Sequence, residues 1–167
     1  MGRDKASLTI GDATFLERAV GALAGVTDHV VVCGDLDLDG FEVVRDAKSN
    51  VGPLAGVVSA LHRADGGPVF VLAVDIPTVP IDLLERLSRS HVRSDQAMTA
   101  RADGRAQPLC GVYGADLAGV AHARLDSDDT SMRTFLREAP IWSMVDVDGS
   151  EIWNINTPDD YTRLVEA

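Results

Sequence analysis

Long apolar runs are absent from this chain. No stretch of its 167 residues approaches the roughly 20 apolar residues that cross a bilayer. The start also lacks the charged-then-apolar pattern of a secretory signal. No membrane contact is expected, and a cytoplasmic location is. Cysteine is scarce too. Cys33 and Cys110 lie far apart, each in an apolar stretch, which argues against a zinc site. They read as buried thiols in a reducing compartment. Basic charge is short: 15 Lys and Arg face 26 Asp and Glu, for a net charge of −11. A surface of that sign does not displace counterions from nucleic acid, so no nucleic-acid partner is expected. A small anionic ligand stays open, because backbone N–H groups, one or two local cations and a divalent metal can hold it.

Several chemical signatures are also missing. There is no Gly-x-Ser-x-Gly elbow, no Ser-His-Asp arrangement, no Walker A loop and no complete Gly-x-Gly-x-x-Gly fingerprint. Hydrolase and dehydrogenase chemistry therefore lack support. His29, His62, His91 and His122 stand beside no nucleophile and read as structural or exposed.

What is present is a regular alternation. Apolar residues make up 46% of the chain, enough for a core, and its length suits a single domain over 1–167. "TFLERAVGALAGV" has helical spacing, with Asp12 or Thr14 as cap. "HVVVC", "FEVVRD" and "PVFVLAVD" read as strands, the last apolar on both faces. "PLAGVVSALHRA" and "PIDLLERLSRSH" read as helices entered through proline. "DQAMTAR" and "PLCGVYG" are two further strands across a turn at "ADGRAQ". "DLAGVAHARL" and "TSMRTFLRE" are helical, "WSMVDV" and "EIWNIN" are strands or extended segments, and "TPDDYTRLVEA" is a final helix capped by Thr157. Strands alternating with helices predict an α/β fold with a mostly parallel sheet covered on both faces. Ligands in such folds sit beyond the carboxyl ends of the strands.

Those strand ends supply the candidates. Asp75 closes a buried strand and is followed by Pro77 and Pro80, which hold the chain extended. It is either a metal-binding carboxylate or a cap for the next turn. Gly52, Pro53 and Gly56 open a helix, either as a plain loop-to-helix entry or as a backbone cradle for an anion or a base edge. Asp46 is a solvated loop acid or an acceptor for ring N–H and amino groups, a pair that guanine offers. Asn156 precedes a helix cap or reaches toward phosphate or metal-bound water. Arg3 and Lys5 are terminal charges or, beside Gly2, a grip on a triphosphate. Arg133 is a helix-surface cation or a partner for an anionic substrate.

In order along the chain, "MGRDKASL", "VGPLAGVVSAL", "VLAVDIPTVP", "QPLCGVY" and "NINTPDD" resemble the molybdenum cofactor guanylyltransferase (MobA-like) branch of the nucleotidyltransferases. The resemblance spans essentially the whole chain, and "GPLAG" favours this branch over the cytidylyltransferases. It implies a Rossmann-like three-layer domain that uses GTP and Mg2+. It also implies transfer of GMP to the phosphate of molybdopterin, as the molybdenum cofactor, with release of pyrophosphate. Transient contacts with molybdoenzymes or other cofactor-synthesis proteins go with that role. By motif, Lys5 matches the lysine that contacts the GTP phosphates and Asp75 the metal-binding aspartate. Asp46 matches the guanine-reading aspartate, and Gly52, Pro53, Leu54 and Gly56 match the neighbouring nucleotide segment. Asn156 matches an asparagine on the substrate-phosphate side, and Ser131 and Arg133 fall loosely where the cofactor pocket would lie. The family signature runs from a first strand through "LAGG" to "RMG-x-DK", and this sequence carries only its tail. The expectation is a domain that is N-terminally incomplete relative to the family, with two strands left short of a partner. Two alternatives accompany the reading: a nucleotidyltransferase with another phosphorylated acceptor, and a non-catalytic nucleotide-binding module without its phosphate loop.

Overall fold

The computed structural model describes residues 5–34, 38–90 and 92–166. Arg3 and His91 lie outside these described residues, as does the first part of the opening stretch.

A single 3-10 turn, Lys5–Ser7, leads into a small hairpin of β1 (Thr9–Ile10) and β2 (Ala13–Thr14). Helix α1 (Phe15–Ala24) starts where the hairpin ends. Of the two expected caps, Thr14 takes the role. Its hydroxyl accepts from the Glu17 N–H at 3.1 Å, and the Glu17 carboxylate accepts from the Thr14 N–H at 2.7 Å. This reciprocal box satisfies donors that the first helical turn leaves unpaired.

Strand β3 (Val32–Cys33) pairs in parallel with β4 (Val43–Val44). Each is shorter than its apolar run, because only these residues find backbone partners among the described ones. There follow α2 (Leu54–Arg63), β5 (Val69–Leu72), α3 (Ile81–Arg89), β6 (Gln96–Ala102), β7 (Arg105–Tyr113), α4 (Leu117–Leu125), α5 (Met132–Glu138), β8 (Ile141–Val147) and α6 (Pro158–Glu166). The larger sheet is ordered β5-β7-β6-β8. Strand β6 runs parallel to β8, while β7 is antiparallel to both β5 and β6. Three of these four strands thus share one direction, and β7 alone opposes them. Its reversal follows from the turn: Asp103 and Gly104 take φ values of 49° and 72°, and a turn that tight returns the chain antiparallel. The segment "EIWNIN" is extended but joins no sheet among the described residues; Ile155 N–H donates to the Asp75 carbonyl at 2.8 Å.

Two apolar layers cover this sheet. On one face Leu54, Val58 and Leu61 of α2 pack with Leu117, Ala121 and Leu125 of α4 and Phe135 and Leu136 of α5. On the other, Leu83, Leu84 and Leu87 of α3 pack with Ile76, Ala100, Cys110 and Ile152. A smaller cluster of Leu8, Phe15 and Ile155, flanked by Tyr161, ties the amino-terminal turn to α6. These layers set the carboxyl ends of β4 and β5 beside one opening.

Candidate nucleotide site

Among the described residues β3 pairs only with β4, and β5 only with β7. Their free edges line a cavity of about 980 Å³, closed at the sides by residues of α1 and α2. Its walls are apolar, from Val32 and Cys33 of β3 and Val69–Leu72 of β5. Its lining also includes Asp46, Asn50, Gly52, Pro53, Gly56 and Asp75. Most of the nucleotide candidates from the sequence therefore face one space.

Three candidates from distant parts of the chain meet through hydrogen bonds. Lys5 Nζ donates to Asp75 Oδ2 at 3.2 Å and to Asn156 Oδ1 at 2.8 Å. The Lys5 and Asp75 side chains retain 30% and 24% of their exposure, so both are open to a ligand from solvent. Each is fixed by its own surroundings. Asp75 follows β5 and is held through its carbonyl by Ile155. Asn156 precedes α6, where the Asp160 carboxylate accepts from the Asn156 and Thr157 N–H groups at 3.1 and 2.8 Å. These hydrogen bonds, those of the Thr157 side chain first, hold the Asp160 carboxyl below the usual range.

At the start of α2, Gly52 has φ 84° and Pro53 provides no side-chain cap. The first-turn N–H groups there are suited to an anion or base edge. Leu54 differs from the rest of its segment. Its side chain is fully buried in the core, so only its backbone faces outward chemistry. Asp46 stands beside Gly56, with its Oδ1 3.3 Å from the position of a Cβ on that glycine. Cys33 is half-buried rather than buried and lines the same cavity, while Cys110 is buried as expected. Burial first, then the Asp46 charge, pushes the Cys33 thiol up to about 11.

Ser131 and Arg133 do not line the cavity. Ser131 caps α5, accepting from the Thr134 N–H at 3.3 Å, and Arg133 is exposed. Sequence reading passed over Arg18, whose Nε donates to the Pro77 carbonyl at 3.0 Å and steadies the loop after Asp75. It also missed the Asn154 amide, which donates to Gln107 Oε1 at 3.2 Å. Neither carries a local signal, since each bond joins segments far apart in the chain.

A three-layer α/β domain with charged and glycine-bearing strand ends around one cavity has the build of a nucleotidyltransferase. The model of the MobA-like NTP transferase domain matches residues 1–143, and the chain belongs to that family. A molybdenum cofactor guanylyltransferase of Rhizobium johnstonii is 32% identical over 184 residues, covering 100% of this chain and 85% of that protein. Two solved structures share the fold. The molybdopterin-guanine dinucleotide biosynthesis protein A of Archaeoglobus fulgidus superposes with a TM-score of 0.77 at 21% identity, over 99% of this chain and 90% of that one. A Mycobacterium tuberculosis protein solved as a manganese complex gives 0.70 at 22% identity, over 99% and 94%.

Proposed function

We propose that this protein is a guanylyltransferase that moves GMP from GTP to the phosphate of molybdopterin, as the molybdenum cofactor. The products are the molybdopterin guanine dinucleotide cofactor and pyrophosphate. The observation that carries this reading is that Lys5 joins Asn156 to Asp75, and Asp75 lines the same cavity as Asp46, Gly52 and Gly56. The name borne by the Rhizobium relative supplies the acceptor.

The donor set suits Mg2+. Asp75 and Asn156 offer hard oxygen atoms, Asp75 Oδ2 and Asn156 Oδ1, which here accept from the Lys5 ammonium, itself a cation. Mg2+ characteristically takes one or two carboxylates and leaves its other positions to water and substrate phosphates. Asp75, with Asn156 beside it, would hold the ion, whose chemistry is charge neutralisation on phosphate oxygens.

The rest falls to the chain itself. Asp46 accepts from the guanine N1–H and 2-amino groups, and the opening of α2 frames the base. A phosphate oxygen of molybdopterin attacks the α-phosphorus of GTP. A new P–O bond forms there, and the α–β bridging bond breaks with its electron pair leaving on pyrophosphate. The nucleophile is already anionic, so no general base is needed. Lys5 places its ammonium against the charge that grows on the leaving group, and catalysis is positioning and electrostatics. A cytoplasmic site of action and transient hand-over to molybdoenzymes belong to the same reading.

The test is pyrophosphate release with GTP or CTP, each with and without molybdopterin. Release is expected only with GTP and molybdopterin together. Asp75→Asn is expected to lower that rate by about 10²–10³ with the fold retained by circular dichroism. Near-normal turnover in this variant sinks the metal assignment. Release with a different phosphorylated acceptor replaces the acceptor, and GTP binding without release with any acceptor makes the domain a binding module.

A further inference from the structure

The loop between β4 and α2 carries Asp46 at its start and Gly52 and Pro53 at its end. Within it Asn50 and Gly52 have φ values of 60° and 84°. Left-handed backbone at a non-glycine residue persists where its surroundings hold it. Two hydrogen bonds do so from across the fold. Lys48 Nζ donates to the Leu125 carbonyl at 2.9 Å, and Thr130 Oγ1 donates to the Val51 carbonyl at 2.9 Å. Both are partly buried; the first ends on the last residue of α4, and the second comes from the segment that joins α4 to α5.

That segment is itself anchored. Arg124 ion-pairs with Glu138 and donates to Ser127 Oγ at 3.2 Å and to the Asp129 carbonyl at 3.4 Å. The Asp129 carboxylate accepts from the Ser131 N–H at 2.9 Å and the Thr134 hydroxyl at 2.6 Å. Thr130 thus sits between two residues that hold α4 and α5 together. The Val51 side chain also packs against the core under α2 and α4. The loop with Asp46 is pinned from the junction of α4 and α5.

We propose that Lys48 and Thr130 are positioning residues that set base selectivity, by fixing the Asp46 loop in the one geometry that takes two hydrogen bonds from a purine edge. The proposal rests on the reading of Asp46 given above. A carboxylate grips guanine through two donors, N1–H and the 2-amino group, whereas hypoxanthine offers N1–H alone. A paired grip needs a fixed carboxylate, and a single one does not. Loosening the loop therefore costs GTP more than it costs ITP. Neither Lys48 nor Thr130 lines the cavity, so both act through the loop.

The experiment measures Kd for GTP and ITP by calorimetry in the full chain, with KM and kcat for GTP alongside. Thr130→Val keeps the shape and removes the donor, and Lys48→Met removes the other. Each is expected to lower the GTP-to-ITP preference by about two- to tenfold, the range of one net hydrogen bond. The change should fall in KM, with kcat at saturating GTP within about twofold of wild type. Thr130→Ser keeps the hydroxyl and should restore the preference. A merely structural role would lower the melting temperature and leave the preference unchanged, and that result overturns the proposal. If Thr130→Val does not fold, Lys48→Met decides, because its side chain is at the surface. A wild type that binds no nucleotide sinks the reading of the cavity, and the selectivity claim with it. A wild type that prefers GTP while both variants prefer it equally sinks the brace alone.

Discussion

A methyl group on Gly56 would lie 3.1 Å from the Cys33 Cβ and 3.3 Å from Asp46 Oδ1. Both distances are tighter than ordinary packing, so a neighbour must give by a few tenths of an ångström. The Cys33 Cβ is fixed by its strand, so the added methyl presses on the Asp46 carboxylate and shifts it from its place. Gly56 is helical, and alanine there gains helix propensity of up to about 1 kcal/mol. The two effects therefore separate. Gly56→Ala is expected to melt at or slightly above the wild-type temperature while its GTP affinity falls by about tenfold. Calorimetry beside a thermal melt reads both, and undiminished GTP affinity would show that Asp46 does not touch the base. Cys33 shares this crowded spot, and with its thiol raised to about 11 it stays protonated at neutral pH. It fills space beside Asp46 and does no nucleophilic work there.

Strand β7 is the element that turns the sheet, and it is shaped by what it cannot hold. Its register against β6 slips between Thr99 and Ala100, where Pro108 and its neighbours bulge out of the ladder. Proline has no N–H for a central strand and is tolerated at such a bulge. The Tyr113 hydroxyl donates to the Pro108 carbonyl and closes the bulge. Gly111 sits opposite Thr99. A Cβ on it would strike the Met98 carbonyl oxygen and come within 2.9 Å of Thr99 Cα, both of them backbone. Gly111→Ala is thus expected to destabilise the fold by about 1–3 kcal/mol through overpacking. Urea unfolding checks it, and a midpoint equal to wild type would mean that β7 shifts freely. The helices and the β6–β7 hairpin were legible in the sequence because their signals are local: 3.6-residue spacing, a cap residue, proline at an entry, Asp-Gly at a turn. The β1–β2 hairpin was not, because two-residue strands show no period. Lys5, Asp75 and Asn156 were legible as separate candidates from strand ends, residue type and motif order, but their meeting was not, since their contacts span 70 and 151 positions. Lys48 and Thr130 were invisible. Each bonds to a distant backbone carbonyl, which every residue type presents.

The molecule as a whole is unevenly stitched. Strand β6 is paired on both sides over most of its length, whereas β3 and β4 share one short parallel ladder beside the cavity. No helix among the described residues is long and apolar enough to cross a membrane. Opening free energies follow such differences in pairing and burial. Native-state hydrogen exchange is therefore expected to be slowest in β6 and β7 and fastest in β3 and β4. Filling the cavity should narrow that gap, because a ligand that binds only the closed form stabilises it by mass action. At 100 times its Kd, GTP with Mg2+ should add about 2.7 kcal/mol, or roughly 5–10 °C in melting temperature for a domain of this size. The added protection should concentrate in β3, the Asp46 loop and the first turn of α2. Equal gains at β8 and α5 would place the nucleotide elsewhere. Protection of β3 already equal to that of β6 in the free protein would show that the two sheets behave as one, with the edges at the cavity held as firmly as the paired strands.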